Sequence, residues 1–309
     1  MNKAVLDEYH GNDFSLYNGD SIEITSYFDE ESIDYIIYSP PFLDLYVYSD
    51  SDRDLGNNKN HDDFYKQFKF LAENMYKMLK SGRLMSVHCM NIPLLKSKNG
   101  YLGIKDFRGD LIRLFEEVGF IFHSEVTIWK DPLIEATRTK SIGLLHKQLQ
   151  KDSTVSRNGF PDYVITMRKR GENEVPVRKP EGMNSYAGST DINVLMQGNL
   201  SHNIWRAYAS PVWMDIRQTN TLNRKGVKSE DDIKHIAPLQ LDVIERLIQL
   251  YTNKNEVVFT PFLGIGSEVY KAVEMNRKGV GIELKPEYFK KAIENCKYAE
   301  ENKMSMDLF

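Results

Sequence analysis

The sequence predicts an α/β fold, a doubly wound parallel sheet interrupted by an inserted region. Three observations lead there. Short apolar β-branched runs alternate with amphipathic helical patterns at both ends of the chain, the signature of strand–helix–strand units. Two of the runs end in loops rich in proline or glycine, Ser39-Pro40-Pro41-Phe42 and Thr260-Pro261-Phe262-Leu263-Gly264-Ile265-Gly266. Between the two patterned parts lies a stretch of about a hundred residues with no long periodicity.

Taken in order, Phe14 to Asn18 reads as a strand closed by Gly19-Asp20-Ser21. Asp20 has two readings there. It caps the following helix, or it accepts hydrogen bonds from a ligand at the strand end. Ser32 to Tyr38 is apolar on both faces and reads as a buried strand. Two prolines end it, because neither has an N–H for a ladder and Pro40 forces Ser39 to be extended. The carboxyl edge of such a sheet is where ligands bind. Residues 43–63 carry six acidic side chains against Arg53 and Lys59, and their lack of periodicity predicts a long loop, either a cover over the site or a solvated surface.

Apolar residues at helical spacing from Phe64 to Leu79 predict a helix over 61–80, stopped by Ser81-Gly82. A strand over 83–88, a helix over 106–118 stopped by Gly119, and a strand over 120–129 follow. After the aperiodic stretch, Leu239, Val243, Ile244, Leu247 and Ile248 share one helical face behind Pro238. Glu256 to Phe259 is a strand, and its glycine loop leads into a helix ending near Met275. Such glycines let backbone approach a ligand at a helix start. Gly279 to Glu283 is a strand whose terminal acid, Glu283, is placed to accept from ribose hydroxyls. Pro286 opens the last helix, which runs to about 301.

Composition narrows the function. The chain has 309 residues, 41% hydrophobic and 27% charged, with a net charge of −4, so a nucleic-acid surface must be local. That surface has a candidate. From Lys130 to Arg170 there are nine lysines and arginines against four acids, interleaved with Ser, Thr, Asn and Gln. Arg138, Lys140, His146, Lys147 and Arg157 are the candidate DNA contacts, suited to phosphates and base edges. Tyr186, Trp205, Tyr208 and Trp213 either support this region or form its small core. No apolar run is long enough to span a membrane, and no Cys/His spacing suggests a metal. Two cysteines and no export signal predict a cytosolic protein without disulfides. A cysteine nucleophile is not expected, since Cys89 and Cys296 fall in core segments.

Ser39-Pro40-Pro41-Phe42 resembles motif IV, (Asp/Asn/Ser)-Pro-Pro-(aromatic), of the S-adenosylmethionine-dependent DNA amino-methyltransferases. Pro-Phe-x-Gly-x-Gly at 261–266 resembles their donor loop, and the helix after His235-Ile236-Ala237-Pro238 resembles their motif X. The Asp20 element and Ser-Pro-Pro-Phe precede motif X and the donor loop, a circularly permuted order similar to the β class. The resemblance implies a Rossmann-like methyltransferase core over 1–130 and 234–309, with a target-recognition region over 131–233. It implies a catalytic set of Ser39, Pro40, Pro41 and Phe42, in which Ser39 and the Pro40 carbonyl accept from the target amino group and Phe42 stacks on a flipped base. It implies S-adenosylmethionine held by Asp20, Ser39, Pro238, Thr260, Phe262, Gly264, Gly266, Ser267 and Glu283. The substrate is expected to be double-stranded DNA, in a bacterial or phage-infected cell, with no membrane involved. A homodimer stays open. Thr260 departs from the usual Asp-Pro-Phe, which leaves open a DNA-binding protein with weak or no catalysis. An RNA amino-methyltransferase is a further alternative, and adenine and cytosine are both admitted as targets.

Overall fold

A computed structural model describes residues 5–41, 61–139, 146–189, 199–222 and 238–306. Its strands are β1 (Val5–His10), β2 (Phe14–Gly19), β3 (Ile33–Tyr38), β4 (Leu79–Cys89), β5 (Ile92–Leu94), β6 (Gly103–Lys105), β7 (Ile121–Ile128), β8 (Asp162–Arg168), β9 (Val212–Trp213), β10 (Val257–Thr260) and β11 (Lys278–Glu283). The helices are α1 (Ser21–Thr25), α2 (His61–Met78), α3 (Lys96–Asn99), α4 (Phe107–Val118), α5 (Pro132–Thr139), α6 (His146–Leu149), α7 (Leu200–Tyr208), α8 (Leu241–Tyr251), α9 (Ser267–Glu274) and α10 (Pro286–Met306).

Nine strands form one mixed sheet in the order β1-β2-β11-β10-β3-β4-β8-β7-β9. The run β2-β11-β10-β3-β4 is parallel throughout. Its order reverses between β10 and β3, so the carboxyl ends of those two neighbours flank the switch point where ligands bind in such sheets. Strand β8 is antiparallel to both β4 and β7, and β1 is antiparallel to β2.

The sheet is covered on both faces, which is why β3 is apolar at every position but Asp34. Successive side chains of a strand point to opposite sides. Ile36 and Tyr38 join Phe64, Phe68, Met75 and Phe115 from α2 and α4, while Tyr35 and Ile37 join Val243, Ile244 and Leu247 from α8. Asp34 is the exception, and its burial is offset by partners: Lys80 at 2.7 Å and the Val257 N–H at 2.9 Å.

Two features differ from the sequence reading. Residues 131–233 read as a region apart from the core, yet β8 and β9 come from it and lie inside the nine-stranded sheet. The sequence of β8, Asp-Tyr-Val-Ile-Thr-Met-Arg, carries a strand pattern that its basic surroundings obscure. The basic run Arg168-Lys169-Arg170 therefore sits at the carboxyl end of an antiparallel strand, on the edge opposite Ser39. Lys169 is buried there and donates to the carbonyls of Lys77 and Leu79. It is a structural cation.

What remains of 183–216 packs around one side chain of α8. Arg246 is fully buried. Its guanidinium pairs with Asp215, donates to the Ala187 carbonyl at 2.8 Å, and lies 4.8 Å and 5.0 Å from the ring centres of Tyr208 and Trp213. Tyr186 also donates to Asp215. Gly188, with φ of 148°, completes the contact, because a Cβ there would fall 2.4 Å from the Arg246 guanidinium. Tyr186, Tyr208 and Trp213 thus form a small core, whereas Trp205 is exposed.

Candidate active site

The parallel register brings sequence-distant residues to one edge. Asp20 follows β2, Glu283 ends β11, Thr260 ends β10 and Ser39 follows β3. These strands are consecutive neighbours, with Glu283 opposite Asn18 and Thr260 opposite Gly281.

The glycine loop after β10 is held by this edge. Ser21 Oγ donates to the Pro261 carbonyl at 2.5 Å. Asn18 donates to the carbonyls of Glu283 and Leu284. Glu283 accepts from the Gly264 N–H at 2.7 Å and from the Lys285 N–H at 2.8 Å. Gly264 has φ of 55°, and a Cβ there would meet nothing within 4 Å. The loop thus turns a bare backbone towards open space. Gly266 has φ of 96° for a different reason: a Cβ there would press on Ala292 and Cys296 of α10. Ser267 is buried at the start of α9. Phe262 stacks on Phe68 and leans on Tyr38, anchoring the loop to α2. Pro238 is partly buried just ahead of α8.

Asp20 accepts from the N–H groups of Ile22 and Glu23 through one oxygen, so it caps α1 while standing at the ligand edge. Thr260 is fully buried and its hydroxyl has no hydrogen-bond partner among the described residues. A fit to an adenosyl group is supported by the open Gly264 backbone and the two carboxylates beside it.

Glu268, in the first turn of α9, is buried, and burial pushes its carboxyl up to about 8. Below pH about 4.5 it is protonated in both folded and unfolded chains. As pH rises the unfolded chain ionises first, so stability falls between about 4.5 and 8, by on the order of 3 kcal/mol at pH 7. Glu268→Gln should remove that slope in urea unfolding curves taken across this range.

At the target side, Pro40 and Pro41 are buried and Ser39 is partly so. Phe42 lies outside the described residues, as do Lys140 and most of the acidic loop. Ser39 Oγ is 3.2 Å from His88 Nδ1. His88 Nε2 is 3.1 Å from Asp162 Oδ2, off the line of an aligned hydrogen bond and with no other partner among the described residues. Lys130 Nζ is 2.5 Å from Asp162 Oδ1. Burial alone would raise the Asp162 carboxyl, but Lys130 and His88 outweigh it and hold it at about 2. The sequence reading does not assign His88, Asp162 or Lys130 to the site. The available signals are a histidine in an apolar strand end and an acid opening β8, but only the strand order shows that they meet.

The basic candidates are scattered. His146 and Lys147 are exposed on α6, and Arg138 lies on α5. Arg157 is engaged internally, 3.6 Å from buried Glu135 and with its guanidinium 3.5 Å from the Phe160 ring centre. Both cysteines are buried, and burial pushes each thiol up. Among the described residues no cluster of His, Cys, Asp and Glu could hold a metal, and no helix is long and apolar enough to cross a membrane.

A mixed α/β sheet with a Ser-Pro-Pro end and a neighbouring glycine loop defines a class of nucleotide-dependent transferase. The particular family follows from comparison: the chain belongs to the DNA methylase family N6_N4_Mtase, whose sequence model matches residues 33–294, the family of DNA amino-methyltransferases that act on N6 of adenine or N4 of cytosine. Among curated proteins it is 23% identical over 276 residues to the type II methyltransferase M.BglII of Bacillus subtilis, spanning 88% of this chain and 66% of that enzyme. It is also 23% identical to the orphan methyltransferase M.BamHII of Bacillus amyloliquefaciens, over 86% of this chain and 89% of the relative. Two solved structures share the fold. One is the TTHA0409 DNA modification methylase of Thermus thermophilus, complexed with S-adenosyl-L-methionine (TM-score 0.62, 18% identity, 92% and 93% of the two chains). The other is the cytosine-N4-specific PvuII DNA methyltransferase (TM-score 0.60, 20% identity, 97% and 96%).

Proposed function

We propose that this chain transfers a methyl group from S-adenosylmethionine to the exocyclic amino group of adenine or cytosine in double-stranded DNA, through the edge formed by β2, β11, β10 and β3. The observation that carries this reading is the adjacency of two strand ends. Ser39-Pro40 lies beside the β10 loop, whose Gly264 backbone faces open space.

The residues divide the work. Asp20, Glu283 and the backbone at Gly264 and Gly266 would hold the adenosyl end of the donor. Pro238, Thr260, Phe262 and Ser267 shape the loop and the start of α9. The donor supplies an electrophilic methyl group on a sulfonium. An amino group conjugated to a base ring is a poor nucleophile. Ser39 Oγ and the Pro40 carbonyl accept from its two hydrogens and favour a nitrogen with an available lone pair. Phe42 offers a stacking surface for a base turned out of the duplex. The buried Cys89 and Cys296 have no part in this chemistry, which needs no covalent attack on the ring.

The order of these parts along the chain supports a circularly permuted core of the β class. Residues 131–233, less the strands β8 and β9, serve target recognition, with Arg138, Lys140, His146 and Lys147 as its phosphate or base contacts. Arg157 belongs more to the internal support of α5 than to the DNA surface. The reaction takes place in the cytoplasm, on the DNA of a bacterial or phage-infected cell; assembly as a homodimer is compatible with it.

Donor binding by calorimetry tests the reading. Asn tolerates a positive φ, and at position 264 its Cβ would meet no protein atom within 4 Å. Gly264→Asn should therefore fold normally yet fill the space left for the donor. Wild type should bind S-adenosylmethionine, and the variant should bind at least about tenfold more weakly, a loss of roughly 1.4 kcal/mol. No donor binding by the wild type, or equal binding by both, would remove the glycine loop from the site.

A further inference from the structure

Ser39 is a neutral hydroxyl. It can accept a hydrogen bond from an amino group, but it cannot keep a proton. Methylation leaves the amino nitrogen cationic, and a proton must go somewhere. Strand order puts a candidate acceptor directly behind Ser39. Tyr38 pairs with Val87, so Ser39 stands beside His88 at the ends of β3 and β4. His88 pairs with Val164 and Ile128 pairs with Asp162, so the start of β8 and the end of β7 come to the same edge. The result is a chain of four polar groups in a buried setting: Ser39 Oγ, His88, Asp162 and Lys130, linked at 3.2, 3.1 and 2.5 Å.

We propose that His88 positions the Ser39 hydroxyl and takes up, through it, the proton released by the methylated amino group, with Asp162 and Lys130 holding its ring. The inference rests on Ser39 being the hydroxyl that meets that amino group. The Asp162 carboxylate faces Nε2 and selects the tautomer protonated there, which leaves Nδ1 to accept from the Ser39 O–H. The lone pairs of Ser39 then face the substrate. As the N–C bond forms and the S–C bond breaks, the electron pair stays on sulfur. The amino nitrogen passes a proton to Ser39 Oγ while the Ser39 proton moves to His88 Nδ1. Serine ends as it began. The imidazolium is stabilised by Asp162 and returns its proton to water after product leaves. Lys130 keeps Asp162 ionised, so the carboxylate orients the ring and does not itself take the proton.

The other titratable groups near these strand ends are accounted for. The Cys89 thiol is buried, and Glu125 is paired bidentately with Arg108 at 2.9 and 2.8 Å. Arg108 also lies over the Tyr163 ring. Asp162 and Lys130 are thus the charged pair that acts on His88 directly.

Two variants separate positioning from proton transfer. His88→Gln reproduces a donor near the Nε2 position and keeps the contact with Asp162, but it leaves Ser39 without its partner. His88→Asn keeps an acceptor near the Nδ1 position and cannot take a proton. Single-turnover methyl transfer should fall by about 100-fold in both, with donor affinity unchanged. The wild-type rate should rise between pH about 5 and 8 as a histidine loses its proton, and both variants should lose that rise. Nitrogen-15 spectra of histidine-labelled wild type, with His88 assigned through the variants, supply a readout independent of turnover. They should show the Nε2–H tautomer, with an Nδ1 resonance that shifts in Ser39→Ala.

An Nδ1–H tautomer, an Nδ1 resonance indifferent to Ser39→Ala, or a His88→Gln enzyme with the wild-type rate and pH profile would overturn the proposal while leaving amino-methylation intact. A wild type that methylates no DNA would overturn the reading of Ser39, and this inference with it.

Discussion

Replacing Arg246 by alanine is expected to destabilise the protein by about 3–5 kcal/mol, the usual consequence of stripping one partner from a buried ion pair. The side chain is fully buried. Its removal would leave Asp215 without its cation and open a void among Tyr186, Tyr208 and Trp213, which meet the guanidinium within 4.8 to 5.4 Å. The same residue ties 183–216 to α8, so the loss would loosen the region assigned to target recognition and weaken DNA binding even where the core survives. Urea unfolding measures the first effect. A double variant gives the control: Arg246→Met with Asp215→Leu removes both charges at similar volume and should recover much of the loss. A cost below about 1 kcal/mol for Arg246→Ala would show that this network behaves like an exposed pair.

Ser39→Ala is expected to slow methyl transfer by about 10²-fold, near the low end for losing one preorganised hydrogen bond, because the Pro40 carbonyl remains and serine is neutral. Donor binding and melting temperature should change little, since the Ser39 hydroxyl contacts His88 and no core atom depends on it. Phe42→Ala should cost more, through loss of base stacking worth roughly 1–3 kcal/mol, and Phe42→Trp should retain activity. Single-turnover methylation, with a melting curve for each variant, distinguishes this from a purely architectural Pro-Pro turn, whose replacement would lower the melting temperature and leave turnover unchanged.

Local pattern makes much of this molecule legible. Strand β3 is readable because it is buried on both faces and stopped by two prolines. Helix α4 is readable because Asp106 caps it and Gly119, with φ of 119°, ends it. The strand–glycine–helix at β10 and α9 and the acid closing β11 are readable in the same way. What is not legible depends on strand order. Nothing near His88 in sequence indicates that it faces Ser39 on one side and Asp162 on the other, because these partners are far apart in the chain and meet only across β3, β4 and β8. Charge is the weakest guide. Lys169 and Arg157 look like surface cations in sequence, yet one satisfies backbone carbonyls and the other rests on Phe160 beside Glu135. Charge counting cannot tell a solvated cation from one that closes a structural gap.

Amino-methylation of a DNA base at the edge that carries Ser39 is the central claim. The most direct measurement is mass spectrometry of nucleosides from unmethylated duplex DNA incubated with the protein and methyl-deuterated S-adenosylmethionine. The expected result is the deuterated methyl group on N6 of adenine or N4 of cytosine, at a level that persists when Cys89 and Cys296 are both changed to serine and falls about 10²-fold in Ser39→Ala. Label on carbon 5 of cytosine, or no label in a folded wild type that binds the donor, would contradict it.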